Sequence, residues 1–193
     1  MDQARPGLIR QLYWELKSRN TRFLYWQKLL MDVPGRFGQM LRWKIYKKHF
    51  GKVGKYATIH VDVRIRNIQY LKMGDNCHLG ESNMLQAAGG IEMGDNVLLG
   101  PGVKIWTANH VFDDVDRPII QQGFEYKKVE IGNNVWIGAN AFIMPGAVIG
   151  EGCIISAGSV IGGKTIPPYK ILAGNPARVI GTREPKTPET ENN

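Results

Sequence analysis

Residues 129–166 read V-E-I-G-N-N-V-W-I-G-A-N-A-F-I-M-P-G-A-V-I-G-E-G-C-I-I-S-A-G-S-V-I-G-G-K-T-I. Isoleucine recurs at 131, 137, 143, 149, 155 and 161, always six residues apart. Four places after each stands a small or β-branched residue: Val135, Ala141, Ala147, Cys153, Ser159 and Thr165. Glycine follows the isoleucine at 132, 138, 150 and 162. A period of six fits neither a helix face nor an isolated strand, whose periods are 3.6 and 2. It fits a parallel β-helix, in which each hexad supplies one short strand and one turn. The isoleucine points into the prism, and the small residue packs under the next corner. Each rung bonds to the rungs above and below, about 4.8 Å away, so no rung is stable alone.

Working outward, the same spacing reaches back toward Val53 through Ile59 and Ile65. Leu71-Lys-Met73-Gly-Asp-Asn76 recurs as Ile91-Glu-Met93-Gly-Asp-Asn96 and again as Val129-Glu-Ile131-Gly-Asn-Asn134. The first two copies are 20 residues apart and the next two 38, so about one coil's length of chain is additional there. Period is lost from Thr107 to Lys128, a stretch rich in acids that also holds His110, Pro118 and Gly123. A long loop leaving a regular solenoid commonly carries function. The division expected is a basic helical segment over 1–52, a β-helix over 53–183 with a loop at 107–128, and a disordered tail over 184–193.

Charge is placed unevenly. Residues 1–55 hold 13 Lys/Arg and 3 Asp/Glu, and residues 56–193 hold 12 and 14, so the basic character belongs to the N-terminal segment. There, Leu8, Ile9, Leu12, Tyr13, Leu16, Phe23, Leu24, Leu30 and Met31 trace one helical stripe, with Trp14, Tyr25 and Trp26 off it. Asp32-Val-Pro34-Gly35 breaks the helix. A second helix is expected to turn Phe37, Met40, Leu41 and Ile45 inward and Arg42, Lys44, Lys47 and Lys48 outward. Two readings stay open: a cap on the open end of the solenoid, or a cap that also contacts anionic lipid. No nucleic-acid motif accompanies the charge. Without a membrane-spanning run or a signal-peptide pattern, cytoplasmic residence is expected, extending to peripheral placement at the inner membrane under the second reading. Cys77 and Cys153 fall at inner corner positions and read as buried, reduced thiols.

I-G-N-N-V-W-I-G at 131–138, T-A-N-H at 107–110 and I-P-P-Y-K-I-L-A-G-N-P-A-R-V-I at 166–180 together resemble the hexapeptide-repeat acyltransferases, in particular their maltose/galactoside O-acetyltransferase branch. The resemblance covers roughly residues 53–181. It implies a left-handed β-helix, a homotrimer, and acetyl-CoA as acyl donor lying between neighbouring subunits. By position it implies His110 as catalytic base and Trp136 as an indole lining the site from the adjacent subunit. It places Gly138, Ala139, Ala157, Gly158, Gly162, Lys164 and Arg178 along coenzyme A. Where the family often has an asparagine about thirty residues before its histidine, this chain has Gly80, and Asn83 is the nearest candidate. The N-terminal segment is also longer and more basic than the family's, which leaves the acceptor open between a sugar and a polysaccharide unit.

The chemistry agrees with the parts present. Acetyl transfer from a thioester to a hydroxyl needs a base and oxyanion donors, and histidine, with a reference pKa near 6.5, suits the first role. No metal is expected, since His49, His60, His78 and His110 show no close pairing in sequence. A nucleotidyltransferase would need a further α/β domain, and the long acidic helical domain of serine acetyltransferases is absent. The alternatives are a serine- or xenobiotic-type acetyltransferase of this fold, or a trimeric membrane-associated scaffold without activity.

Overall fold

The computed structural model describes residues 7–184. Residues 185–193 of the expected tail lie outside the described residues. Three helices, α1 (Leu8–Lys17), α2 (Arg19–Leu30) and α3 (Gly35–Tyr46), precede a solenoid of short parallel strands. Its coils run β1 (Lys52–Val53), β2 (Thr58–Ile59), β3 (Arg64–Arg66); β4 (Leu71–Met73), β5 (His78–Leu79), β6 (Met84–Gln86); and β7 (Ile91–Met93), β8 (Leu98–Leu99), β9 (Lys104–Trp106). A hairpin, β10 (Ala108–His110) with β11 (Phe124–Tyr126), then leaves the body. The coils resume as β12 (Val129–Ile131), β13 (Trp136–Ile137), β14 (Phe142–Ile143); β15 (Val148–Ile149), β16 (Ile154–Ile155), β17 (Val160–Ile161); and β18 (Thr165–Ile166) with β19 (Lys170–Gly174). Antiparallel β20 (Ala177–Thr182) closes the end.

Corresponding strands of successive coils stack into three parallel sheets. The first begins with β1, the second with β2, the third with β3. The six isoleucines of the deciding repeat are all buried, as are Val135, Ala141, Ala147, Cys153 and Ser159 beneath the corners. Thr165, the last of that series, is exposed, because the regular repeat ends there. Cys77 and Cys153 are buried and unpaired, and burial raises both thiol pKa values.

The recurrent Gly-Asp-Asn turn has a stacking explanation. The Asp75 carboxylate accepts from the Lys55 amide, Asp95 from the Asp75 amide, and the Asn133 side chain from the Asp95 amide. The glycine before each acid leaves room for the next coil, since a Cβ on Gly74 or Gly94 would fall on the side-chain oxygen of Asp95 or Asn133. This ladder crosses the 38-residue step unbroken, and β12 pairs directly with β7. The additional chain is therefore an insertion at one corner and adds no coil to the stack.

The helical segment differs from its expected packing. The single stripe from Leu8 to Met31 is interrupted at Ser18, whose hydroxyl accepts from the Thr21 amide and caps α2. Serine is a preferred N-cap because it satisfies an otherwise orphaned helix donor. The buried face of α3 is Gly38, Arg42 and Tyr46, whereas Phe37 and Met40 are 68% and 69% exposed. The helix is turned by carbonyls that need donors. Arg42, only 1% exposed, gives its guanidinium to the carbonyls of Leu30, Val33 and Ile59. Gln27 accepts from the Ile65 amide, and the Met31 carbonyl accepts from the Asp62 amide. These bonds satisfy the Ile59 carbonyl and the Asp62 and Ile65 amides of the first coil, which has no preceding coil to pair with, along with carbonyls at the end of α2. Phe23 meets Tyr46 edge-on at 5.0 Å above them.

The structure also brings together two histidines that the sequence separates: the rings of His60 and His78 stand 4.4 Å apart. Among the described residues no group of three or more His, Cys, Asp or Glu is placed to hold a metal ion. Burial, then the neighbouring His60, lowers the pKa of His78. Burial, then Arg19 and Arg22, lowers that of His49. A histidine depressed in the folded state takes its proton first in the unfolded chain as pH falls past about 6.5, which favours unfolding. Their contribution is thus intact above that pH and is lost below it. Melting temperature should fall between pH 7.5 and 5.5, and the double variant His49→Gln/His78→Gln should flatten that slope. An unchanged slope would contradict the assignment.

Candidate functional site

His110 ends β10 of the hairpin that leaves the corner between the third and first sheets. The hairpin register sets His110 opposite Phe124, with ring centroids 4.3 Å apart. Its base is tied to the solenoid through buried Thr107. The Thr107 hydroxyl donates to the Gln86 carbonyl at 2.7 Å and accepts from the Gly89 amide, and the Lys127 amide donates to the Thr107 carbonyl. At the return, Lys128 pairs with Glu92 at 2.6 Å, and this bond with Lys72's holds the Glu92 carboxyl below its ordinary pKa. The insertion is therefore anchored at both ends, while its tip exposes Phe112, Val115 and Ile120.

A cleft of about 520 Å³ opens beside the imidazole, lined by Arg66, Asn67, Gln86, Trp106, Phe124 and Tyr126 together with His110. Three of these are invisible to a hexad reading but follow from the coil length. Arg66, Gln86 and Trp106 are 20 residues apart and lie in direct cross-strand register on the outer surface of the third sheet. Each follows an inward residue, Ile65, Leu85 or Ile105, and that shared offset is the signal that could have found them. His110 itself is exposed and free to meet a ligand.

Asn83 does not join this cleft. It is fully buried, with its amide donating to the Gly100 carbonyl at 2.7 Å and its Oδ1 unpartnered. Gly80 lies against the next coil, where a Cβ would come 2.6 Å from the Leu99 carbonyl oxygen, so no larger side chain fits without a shift.

Trp136 stands on β13 in the second sheet, 50% exposed, between Leu98 and Ile154. It does not line the His110 cleft. Gly138 and Ala139 turn the corner between the second and third sheets, and Ala157 and Gly158 turn the same corner one coil on. Gly138 has an internal reason to be glycine, since a Cβ would strike the Ala157 amide. Gly162 has none: its φ is ordinary and nothing lies within 4 Å of the position a Cβ would take. Gly158 faces equally open space, but its φ of +68° already favours glycine. Lys164 and Arg178 come from different coils and converge on one point, donating to the Ala177 carbonyl at 3.1 and 3.2 Å. Both are exposed cations at the end of the solenoid.

Comparison with known proteins follows the same geometry. Residues 128–163 match the family described as bacterial transferase hexapeptide (six repeats), and residues 70–105 match the hexapeptide repeat of succinyl-transferase. The chain is 32% identical to a maltose O-acetyltransferase from Clostridium difficile, with 89% of each chain covered and a TM-score of 0.73. It is 28% identical to a galactoside acetyltransferase solved with coenzyme A, covering 88% of this chain and 82% of that one at a TM-score of 0.77. A probable acetyltransferase of Mycobacterium tuberculosis is 31% identical over 94% of this chain, and the chain spans 65% of that curated relative's length. The solenoid is thus the left-handed β-helix that the family resemblance implied. The chain belongs to the hexapeptide-repeat acetyltransferases, in the branch of the maltose and galactoside enzymes.

Proposed function

We propose that the protein transfers an acetyl group from acetyl-CoA to a hydroxyl of a sugar or glycan, with His110 as general base at the subunit interface of a homotrimer. One observation carries this reading: the only hairpin that breaks the described solenoid holds a solvent-open histidine over an aromatic and polar cleft. The names of the maltose and galactoside relatives support a sugar acceptor. The exposed apolar tip of the hairpin supports a neighbouring subunit that covers it. So does the separation of His110 and Trp136 onto different sides of one prism, which a neighbour's Trp136 would complete.

The steps balance simply. The imidazole takes the acceptor's hydroxyl proton as that oxygen attacks the thioester carbonyl carbon. The tetrahedral oxyanion collapses, the C–S bond breaks, and the departing thiolate receives the proton from the imidazolium. The coenzyme would lie along Gly138, Ala139, Ala157, Gly158 and Gly162, with Lys164 and Arg178 neutralising phosphate. Gly162 fits this role because nothing within its own chain requires glycine there.

The test is release of free coenzyme A thiol from acetyl-CoA, scored against a panel of simple sugars and glycans. Thiol release should depend on an acceptor from that panel. Gly162→Val should raise the KM for acetyl-CoA by about tenfold, as for a lost close approach worth roughly 1.4 kcal/mol, with melting temperature unchanged. Absence of acceptor-dependent release across the panel would sink the reading. So would an unaltered KM in the folded variant for the coenzyme path.

A further inference from the structure

The cap on the solenoid is made by α2 and α3; α1 contributes no buried residue to it. Yet α1 is amphipathic. At 100° per residue, Leu8, Ile9, Leu12, Tyr13 and Leu16 fall within one arc, and Arg10, Gln11, Glu15 and Lys17 fall outside it. No residue of this arc is buried: Leu8 and Ile9 are 87% and 85% exposed, and Leu12 and Leu16 44% each. Tyr13 and Trp14 meet edge-on at 5.8 Å, and the Lys17 ammonium lies 4.5 Å from the Tyr13 ring centre. The Tyr13 ring thus closes one edge of the apolar arc with the Lys17 ammonium beside it, and Trp14 meets that ring from the polar side.

The surroundings are strongly basic. Residues 7–55 hold 12 Lys/Arg and 2 Asp/Glu. Of those cations only Arg42 is buried, and Arg10, Lys17, Arg19, Arg22, Lys28, Arg36, Lys44, Lys47, Lys48, Lys52 and Lys55 are exposed. Protein interface cores are depleted in lysine, and a nucleic acid has no use for an apolar arc. An apolar helix face edged by Tyr13 and surrounded by many cations fits the boundary between headgroups and acyl chains of an anionic bilayer. No helix among the described residues is long and apolar enough to cross a membrane, so the contact would be in-plane.

We propose that α1 lies in the surface plane of an anionic bilayer, its Leu8–Leu16 face among the acyl chains and the neighbouring cations against lipid phosphates. This goes beyond the acetyl-transfer reading and does not depend on it. The experiment is co-sedimentation of the full chain with vesicles of phosphatidylcholine containing one quarter phosphatidylglycerol, against phosphatidylcholine alone. Because no residue of α1 is buried and Leu12 and Leu16 each keep 44% of their surface exposed, Leu12→Glu/Leu16→Glu should leave the solenoid and its cap folded, with a melting temperature close to that of the unaltered chain. Binding to anionic vesicles should exceed binding to neutral ones by at least about tenfold. It should fall by about tenfold or more in that variant and in Lys47→Glu/Lys48→Glu, and weaken in high salt. Failure to bind anionic vesicles at low salt would overturn the proposal. It would equally be overturned if Leu12→Glu/Leu16→Glu left vesicle binding intact while reducing the oligomer, since α1 would then be a subunit interface.

Discussion

Replacing His110 with alanine is expected to lower acetyl transfer by about 10²- to 10⁴-fold while leaving oligomer size and melting temperature unchanged. The kinetic part rests on the role of a base: without it, the acceptor hydroxyl must attack while still carrying its proton. The structural part rests on exposure. The exposed His110 ring meets Phe124 at the lip of the cleft, and the hairpin is held by Thr107, Lys127 and Lys128 rather than by the imidazole. Steady-state rates at saturating acetyl-CoA, together with sedimentation and a melting curve, separate the two parts. A folded variant that keeps nearly full rate would exclude His110 as the base.

The second large effect is on stability and lies at the other end of the molecule. Arg42→Ala should destabilise the fold by about 3–5 kcal/mol, read from the urea midpoint, because three buried carbonyls lose their donor and a large buried side chain leaves a void. Burial lowers the Arg42 pKa, while its Nε and Nη1 groups donate to the carbonyls of Ile59, Leu30 and Val33. Arg42→Lys should recover only part of the loss, since one ammonium cannot span acceptors on both the helical turn and the first coil. A cost under about 1 kcal/mol for the alanine variant would mean that water replaces the guanidinium freely.

Arg42 also marks where sequence reasoning reached its limit. On a helical wheel, arginine belongs with the outward cations and Phe37 and Met40 with the core. The carbonyls of Leu30, Val33 and Ile59 that reverse this order come from two separate places, the α2–α3 turn and the first coil, so no helical wheel contains them. The solenoid was legible for the opposite reason. Each rung repeats the same local demand, one inward isoleucine and one small corner residue, and the six repeats reinforce a single reading. His110 was legible as the histidine in the one stretch that abandons the period. The rest of its cleft was not, because Arg66, Gln86 and Trp106 become neighbours only when the chain is folded at 20 residues per coil. Asn83, the nearest candidate by linear count, sits under a corner, bonded to the Gly100 carbonyl and outside the cleft lining.

The arrangement of His110 on one side of the prism and Trp136 on another makes a site shared between subunits the centre of the account. It is tested most directly by mixing. His110→Ala chains supply an intact Trp136, and Trp136→Ala chains supply an intact His110. When the two are co-expressed and assembled at random into the proposed homotrimer, each mixed trimer should regain one of its three sites, and with about three quarters of the trimers mixed the rate averaged over all trimers should be roughly one quarter of the unaltered protein's. Thiol release should therefore rise well above that of either parent assembly at the same total protein. Mixed trimers, verified by differential tags, that show only the parents' residual rates would contradict a site shared between subunits.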